Sequence, residues 1–117
     1  MKRCIMAKRK IKQKKVHRVY CTYFDDGHYY IGYSCKTDKQ YEKYYGSTSY
    51  VTDYSGSMRK ETIAVYDSKA HAKAVEHMLQ WENRLDPHCL NKMWNVRLRL
   101  DHISDLILPD WKPGCFS

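Results

Sequence analysis

The sequence predicts a small domain of the α/β (α+β) class, a three-stranded sheet flanked by helices. Three observations carry that expectation. Two runs rich in β-branched and aromatic residues flank a tight glycine-containing turn, a third such run follows near residue 61, and one long capped stretch has helical apolar spacing.

Residues 16–24, Val-His-Arg-Val-Tyr-Cys-Thr-Tyr-Phe, form the first strand. Asp25-Asp26-Gly27 is a turn and His28 to Tyr33 the second strand, so the pair is a hairpin. A three-residue loop wants glycine in the left-handed third position, and Gly27 stands there. That loop pairs Phe24 with His28, Thr22 with Tyr30 and Tyr20 with Gly32, and puts Tyr20, Thr22, His28 and Tyr30 on one face. Thr37 caps a short helix with Gln40 reaching back, and Gly46 is expected to end it. The Ser-, Thr- and Gly-rich residues 46–57 read as a loop and Glu61 to Tyr66 as the third strand. Ser68 caps a helix over about 69–85, with Ala72, Val75, Met78, Leu79 and Leu85 as its apolar stripe, and Asp86-Pro87 stops it. Further on, Trp94 to Leu100 reads as a strand and Ile103 to Leu108 as a helical turn.

With 117 residues there is room for one core, not two. Val, Ile, Leu and Phe number only 21, and 11 Tyr, 3 Trp and 5 Met supply the missing apolar area. The net charge of +8 is concentrated at one end. Residues 1–18 hold Lys2, Arg3, Lys8, Arg9, Lys10, Lys12, Lys14, Lys15 and Arg18 with no acid, and the remainder is nearly neutral. Residues 1–15 are therefore expected to be a mobile basic arm and residues 16–117 a single domain. The expected counter-ion is a nucleic-acid backbone, with Lys8, Arg9, Lys10, Lys12, Lys14, Lys15, Arg18, Lys36 and Lys39 as candidate contacts. No apolar run suits a membrane span or a secretion signal, so no membrane partner is expected. Five widely spaced cysteines without a Cys-x-x-Cys pair read as reduced thiols of a cytoplasmic protein.

All 11 tyrosines lie between Tyr20 and Tyr66. The ordered set Val19-Tyr20, Tyr30-Ile31-Gly32, Glu76 in the long helix and Asn91 resembles the GIY-YIG nuclease family over residues 19–91. Tyr44-Tyr45-Gly46-Ser47 is similar to a segment common in small phage-type, homing-like members. The resemblance implies an antiparallel sheet and a metal-dependent endonuclease that hydrolyses DNA phosphodiesters without a small-molecule cofactor, in the host cytoplasm if phage-encoded. It implies one divalent cation, Mg²⁺ or Mn²⁺, held by Glu76, with Tyr20 activating water, Tyr30 bonding the phosphate or the water, and Asn91 positioning substrate or bracing the site. Asn95 is a rival for Asn91. Gly32, opposite Tyr20, is expected to leave room for a phosphate. The chain departs from the family at Arg18, where a glycine is usual, and at Gln40, where an arginine is usual. Arg59, Lys43, Lys39 and Lys36 are candidate substitutes for that arginine. A reading from another class is a non-catalytic module whose tyrosine face stacks on single-stranded bases while the arm holds the backbone.

Overall fold

The computed structural model describes residues 16–92 and 106–116. Strands β1 (His17–Phe24), β2 (Tyr29–Ser34) and β3 (Met58–Tyr66) form an antiparallel sheet in the order β2-β1-β3. Helices α1 (Asp38–Glu42) and α2 (Ser49–Asp53) lie between β2 and β3, and α3 (Lys69–Glu82) follows β3. The fold is α+β. Among the described residues no helix is long and apolar enough to cross a membrane.

The hairpin register follows from its turn. Gly27 adopts φ 97°, its N–H donates to Phe24 O at 3.0 Å, and Phe24 N donates to His28 O at 2.9 Å. Tyr20 then faces Gly32 and Thr22 faces Tyr30, as the loop chemistry predicts. On the other side of β1 the pairing shifts between Val19 and Tyr20, which stand opposite Ala64 and Thr62. Ile63 is the extra residue of that bulge.

Being central, β1 is buried on both faces. Val19, Cys21 and Tyr23 pack with Ile31 against Ala72, Val75 and Leu79, the i, i+3, i+7 stripe of α3. Ser68 starts α3 by accepting the His71 N–H. The helix ends at Glu82, three residues short of the expected boundary, so Leu85 lies beyond it and is exposed rather than in the stripe. Trp81 is also partly exposed, with Arg84 over its ring.

Three further boundaries differ from expectation. Helix α1 stops at Glu42 with Lys43 as its C-cap, and Gly46, at φ 138°, serves the next bend. Residues 46–57 are not all loop, because Thr48 caps α2 by accepting the Val51 N–H. Strand β3 begins at Met58, drawn out by pairing with Phe24 and Tyr23. The expected strand at 94–100 lies outside the described residues, as do Ile103 to Asp105, and residues 106–108 are not helical.

Two segments complete the sheet. Residues 88–90 run beside β2, with Tyr29 N donating to His88 O and Leu90 N to Tyr29 O, both at 2.9 Å. The C-terminal segment crosses the α3-side face, where Leu108, Trp111 and Phe116 pack against the core and Gly114 N donates to Tyr23 Oη at 2.9 Å.

Candidate active site

Tyr20 and Tyr30 project from neighbouring strands on the face away from α3, their ring centres 6.4 Å apart. Tyr41 and Tyr44 meet the Tyr20 ring edge-on, each at 6.0 Å. Tyr20 is 1% exposed, while Tyr30 is half-buried. The space above Gly32 is not open for a phosphate. A Cβ there would stand 2.5 Å from Tyr20 Oη and 2.9 Å from Tyr30 Cε2, so the missing side chain makes room for the Tyr20 phenol itself.

Glu76 stands on α3, near enough for its charge to act on both phenols. It is 6% exposed, and Gln80, one turn on, ties it to the outer edge of β2. Gln80 Nε2 donates to Glu76 Oε2 at 3.3 Å and to Ile31 O at 3.0 Å. Among the described residues Glu76 Oε1 has no hydrogen bond of good geometry. Lys73 Nζ stands 3.3 Å from it, at ion-pair range but off the line of a hydrogen bond, and His77 Nε2 lies at 3.9 Å.

Burial sets the electrostatics. It raises the Glu76 carboxyl above its usual range, opposed by the charges of Lys73 and His77. Burial pushes the Tyr30 phenol up to about 12, with the Glu76 charge adding to it. It raises Tyr20 further still, followed by the neighbouring Tyr30 and Tyr44 and then Glu76. Both phenols feel the carboxylate, and both are neutral hydroxyls at pH 7.

Asn91 is a brace. Its Oδ1 accepts the Ile31 N–H at 2.8 Å and its Nδ2 donates to Ile31 O at 2.9 Å, so the side-chain amide replaces a missing strand at the β2 edge. Tyr30, Asn91, Gln80, His77, Thr48 and Lys92 line a cavity of about 310 Å³ beside this edge. Lys73, His77 and Gln80 were not expected at the site. The sequence signal for them is helical spacing from Glu76, at i−3, i+1 and i+4.

The basic candidates fare differently. Arg59 lies on the opposite face, where its partner on β1 is Tyr23. It stacks over that ring at 4.4 Å and donates to the carbonyls of Phe116, at 2.9 Å, and Cys115, which keeps it from the Tyr20 cluster. Arg18 is also spoken for. It is buried, ion-paired with Asp38, bonded to Lys36 O at 3.2 Å and stacked over Tyr41 at 4.4 Å, so its guanidinium is not presented to a nucleic-acid backbone. Gln40 serves the α1 capping box, accepting the Thr37 N–H at 3.3 Å, which explains its presence in helical terms. Lys39 and Lys43 are exposed on and just after α1. Lys36 stands beside the Tyr20 cluster, its Nζ 4.6 Å over the Tyr44 ring. Lys8, Arg9, Lys10, Lys12, Lys14, Lys15 and Asn95 lie outside the described residues.

Among the described residues no three His, Cys, Asp or Glu side chains gather as a metal-binding group. One buried carboxylate with an oxygen that accepts no hydrogen bond among the described residues still suits a hard cation that keeps most of its own water. No protein-family model matches the chain, and neither a curated protein nor a solved structure does.

Proposed function

We propose that the chain is a metal-dependent endonuclease of GIY-YIG type that hydrolyses DNA phosphodiester bonds. The observation that supports this reading most is the buried Glu76 carboxylate, whose charge acts on both Tyr20 and Tyr30, with Tyr30 and the Glu76-bonded Gln80 lining a cavity. Glu76 would hold one Mg²⁺ or Mn²⁺ ion. When bound, such an ion supplies positive charge to the scissile phosphate and the departing 3′-oxygen and favours ionisation nearby.

The residues of the chain do the rest. Tyr30, which lines the cavity, donates its O–H to a non-bridging phosphate oxygen. Tyr20 behind it, once the local field has lowered its pKa and its phenol proton has passed to solvent, orients the attacking water as a phenolate and takes that water's proton. Reaching Tyr20 requires the Tyr30 or Tyr44 ring to give way, because both cover it. Asn91 and Gln80 hold the β2 edge against Glu76 through Ile31. Lys36 and Lys73 are the basic side chains best placed to meet a phosphate. The basic arm would add sequence-independent affinity for DNA, and the working compartment is the cytoplasm.

The base-stacking alternative draws less support. Stacking needs exposed rings, and here Tyr20 and Tyr41 are buried beneath neighbouring rings and α1.

The test is nicking of supercoiled plasmid DNA in Mg²⁺ or Mn²⁺. Glu76→Ala and Tyr20→Phe are each expected to lower the rate by at least about 100-fold, with the circular dichroism spectrum retained. Rates unchanged in both variants, or single-strand binding by the wild type with no cleavage, would overturn the proposal.

A further inference from the structure

The chain contains the pattern Asp-x-His twice, as Asp26-Gly27-His28 and as Asp86-Pro87-His88. Both copies fold alike. His28 N donates to Asp26 Oδ1 and His88 N to Asp86 Oδ1, each at 2.9 Å. The imidazole Nδ1 then lies beside the same oxygen, at 3.0 Å for His28 and 3.3 Å for His88. Tyrosine hydroxyls fix the outer carboxylate oxygens, Tyr50 on Asp26 and Tyr29 on Asp86, the latter at 2.7 Å. Tyr50 Oη also lies 3.4 Å from His28 Nδ1.

The bridge from Tyr29 N to His88 O brings the two copies side by side at the hairpin tip, with imidazole centres 6.2 Å apart. A carboxylate at Nδ1 favours the proton there and leaves the Nε2 lone pair available, the usual state of a metal-binding histidine. No described residue bonds either Nε2. Two imidazoles sharing an ion at about 2.1 Å from each nitrogen have ring centres roughly 5 to 6 Å apart. Both side chains are exposed enough to make the remaining adjustment by rotation.

We propose that His28 and His88 bind one zinc- or nickel-type transition-metal ion through their Nε2 atoms, with Asp26 and Asp86 orienting the rings. Imidazole pairs suit borderline ions of this class rather than Mg²⁺, and water completes the coordination. Neither histidine lines the cavity beside Tyr30 or bonds Glu76, so the ion is separate from any cation held by Glu76. Its structural effect is to staple the β1–β2 turn to the segment that leads into Asn91.

Zn²⁺ titration of the full chain by calorimetry tests the assignment. One ion per chain is expected, with His28→Ala and His88→Ala each weakening binding at least about 10-fold and Cys115→Ser leaving it unchanged. Co²⁺ substituted at the site should give visible ligand-field bands without a thiolate charge-transfer band. Absence of Zn²⁺ binding, wild-type affinity retained in either histidine variant, or a strong thiolate band would overturn the site.

Discussion

The two faces of the sheet are both buried, yet they are built from different chemistry. Against α3 the packing is largely aliphatic, with Val19, Ile31, Ala72, Val75 and Leu79 meeting a few thiols and tyrosine rings. On the opposite face Tyr20, Thr22 and Phe24 are covered by Tyr41, Tyr44, Tyr50 and Tyr54, with hardly an aliphatic side chain. Hydroxyls in this second layer are bonded in place. Thr22 Oγ1 donates to Tyr45 O at 2.6 Å, and Tyr41 Oη pairs with Thr62 Oγ1 at 2.7 Å. A chain short of aliphatic residues can thus close two layers, provided the aromatic one also satisfies its polar atoms. The first face gives stability, and the second holds hydroxyls at fixed positions.

Truncation on the aliphatic face should break the fold most severely. Leu79→Ala removes a side chain that is 1% exposed, and a loss of about 2–5 kcal/mol in urea unfolding is expected. A smaller effect is expected at Gly32. Gly32→Ala forces a methyl group against Tyr20 Oη and Tyr30 Cε2 and should cost about 1–3 kcal/mol. Most of that penalty should vanish in a Tyr20→Ala background, since the cycle isolates the contact. An equal penalty in both backgrounds would show that the phenol is not fixed above Gly32.

The smallest effect concerns Lys60, which extends the tyrosine layer from β3. Its Nζ sits 3.5 Å over the Tyr41 ring and donates to the carbonyls of Tyr41 and of Tyr44, the latter at 2.7 Å. Burial, with Arg18 nearby, lowers its pKa from 10.5 to about 8. The folded chain therefore sheds this proton at lower pH than the unfolded chain does. The associated stability is complete above about pH 10.5 and is lost as pH falls through about 8. Lys60→Met should accordingly be most stable relative to wild type near pH 7, and that advantage should shrink towards pH 10 in parallel urea titrations. A pH-independent difference would show that the ammonium is not desolvated.

Local chemistry decided what could be read in advance. Gly27 fixed the loop length and hence the register that puts Tyr20 beside Tyr30, and Thr37 and Ser68 marked two helix starts through short-range capping. What escaped depends on distant contacts. A Ser- and Thr-rich stretch gives no apolar period, so α2, which Thr48 caps, reads as loop in the sequence. Arg59 looks like any surface arginine until the C-terminal segment arrives with its carbonyls. Tyr20 filling the space over Gly32 is a matter of rotamer, which strand pairing does not encode. Glu76, on the margin of the helical stripe, is buried because Gln80 ties that margin to Ile31.

The amide of Asn91 has a consequence for association. An outer strand normally offers a row of unpaired donors and acceptors on which a neighbouring molecule can grow a continuous sheet. At β2 that row is met by the backbone of residues 88–90 and then by one side chain, so among the described residues the ladder ends in a group that carries no strand beyond it. Such a terminus blocks sheet-to-sheet polymerisation along this margin while leaving the adjoining hollow free to admit a ligand.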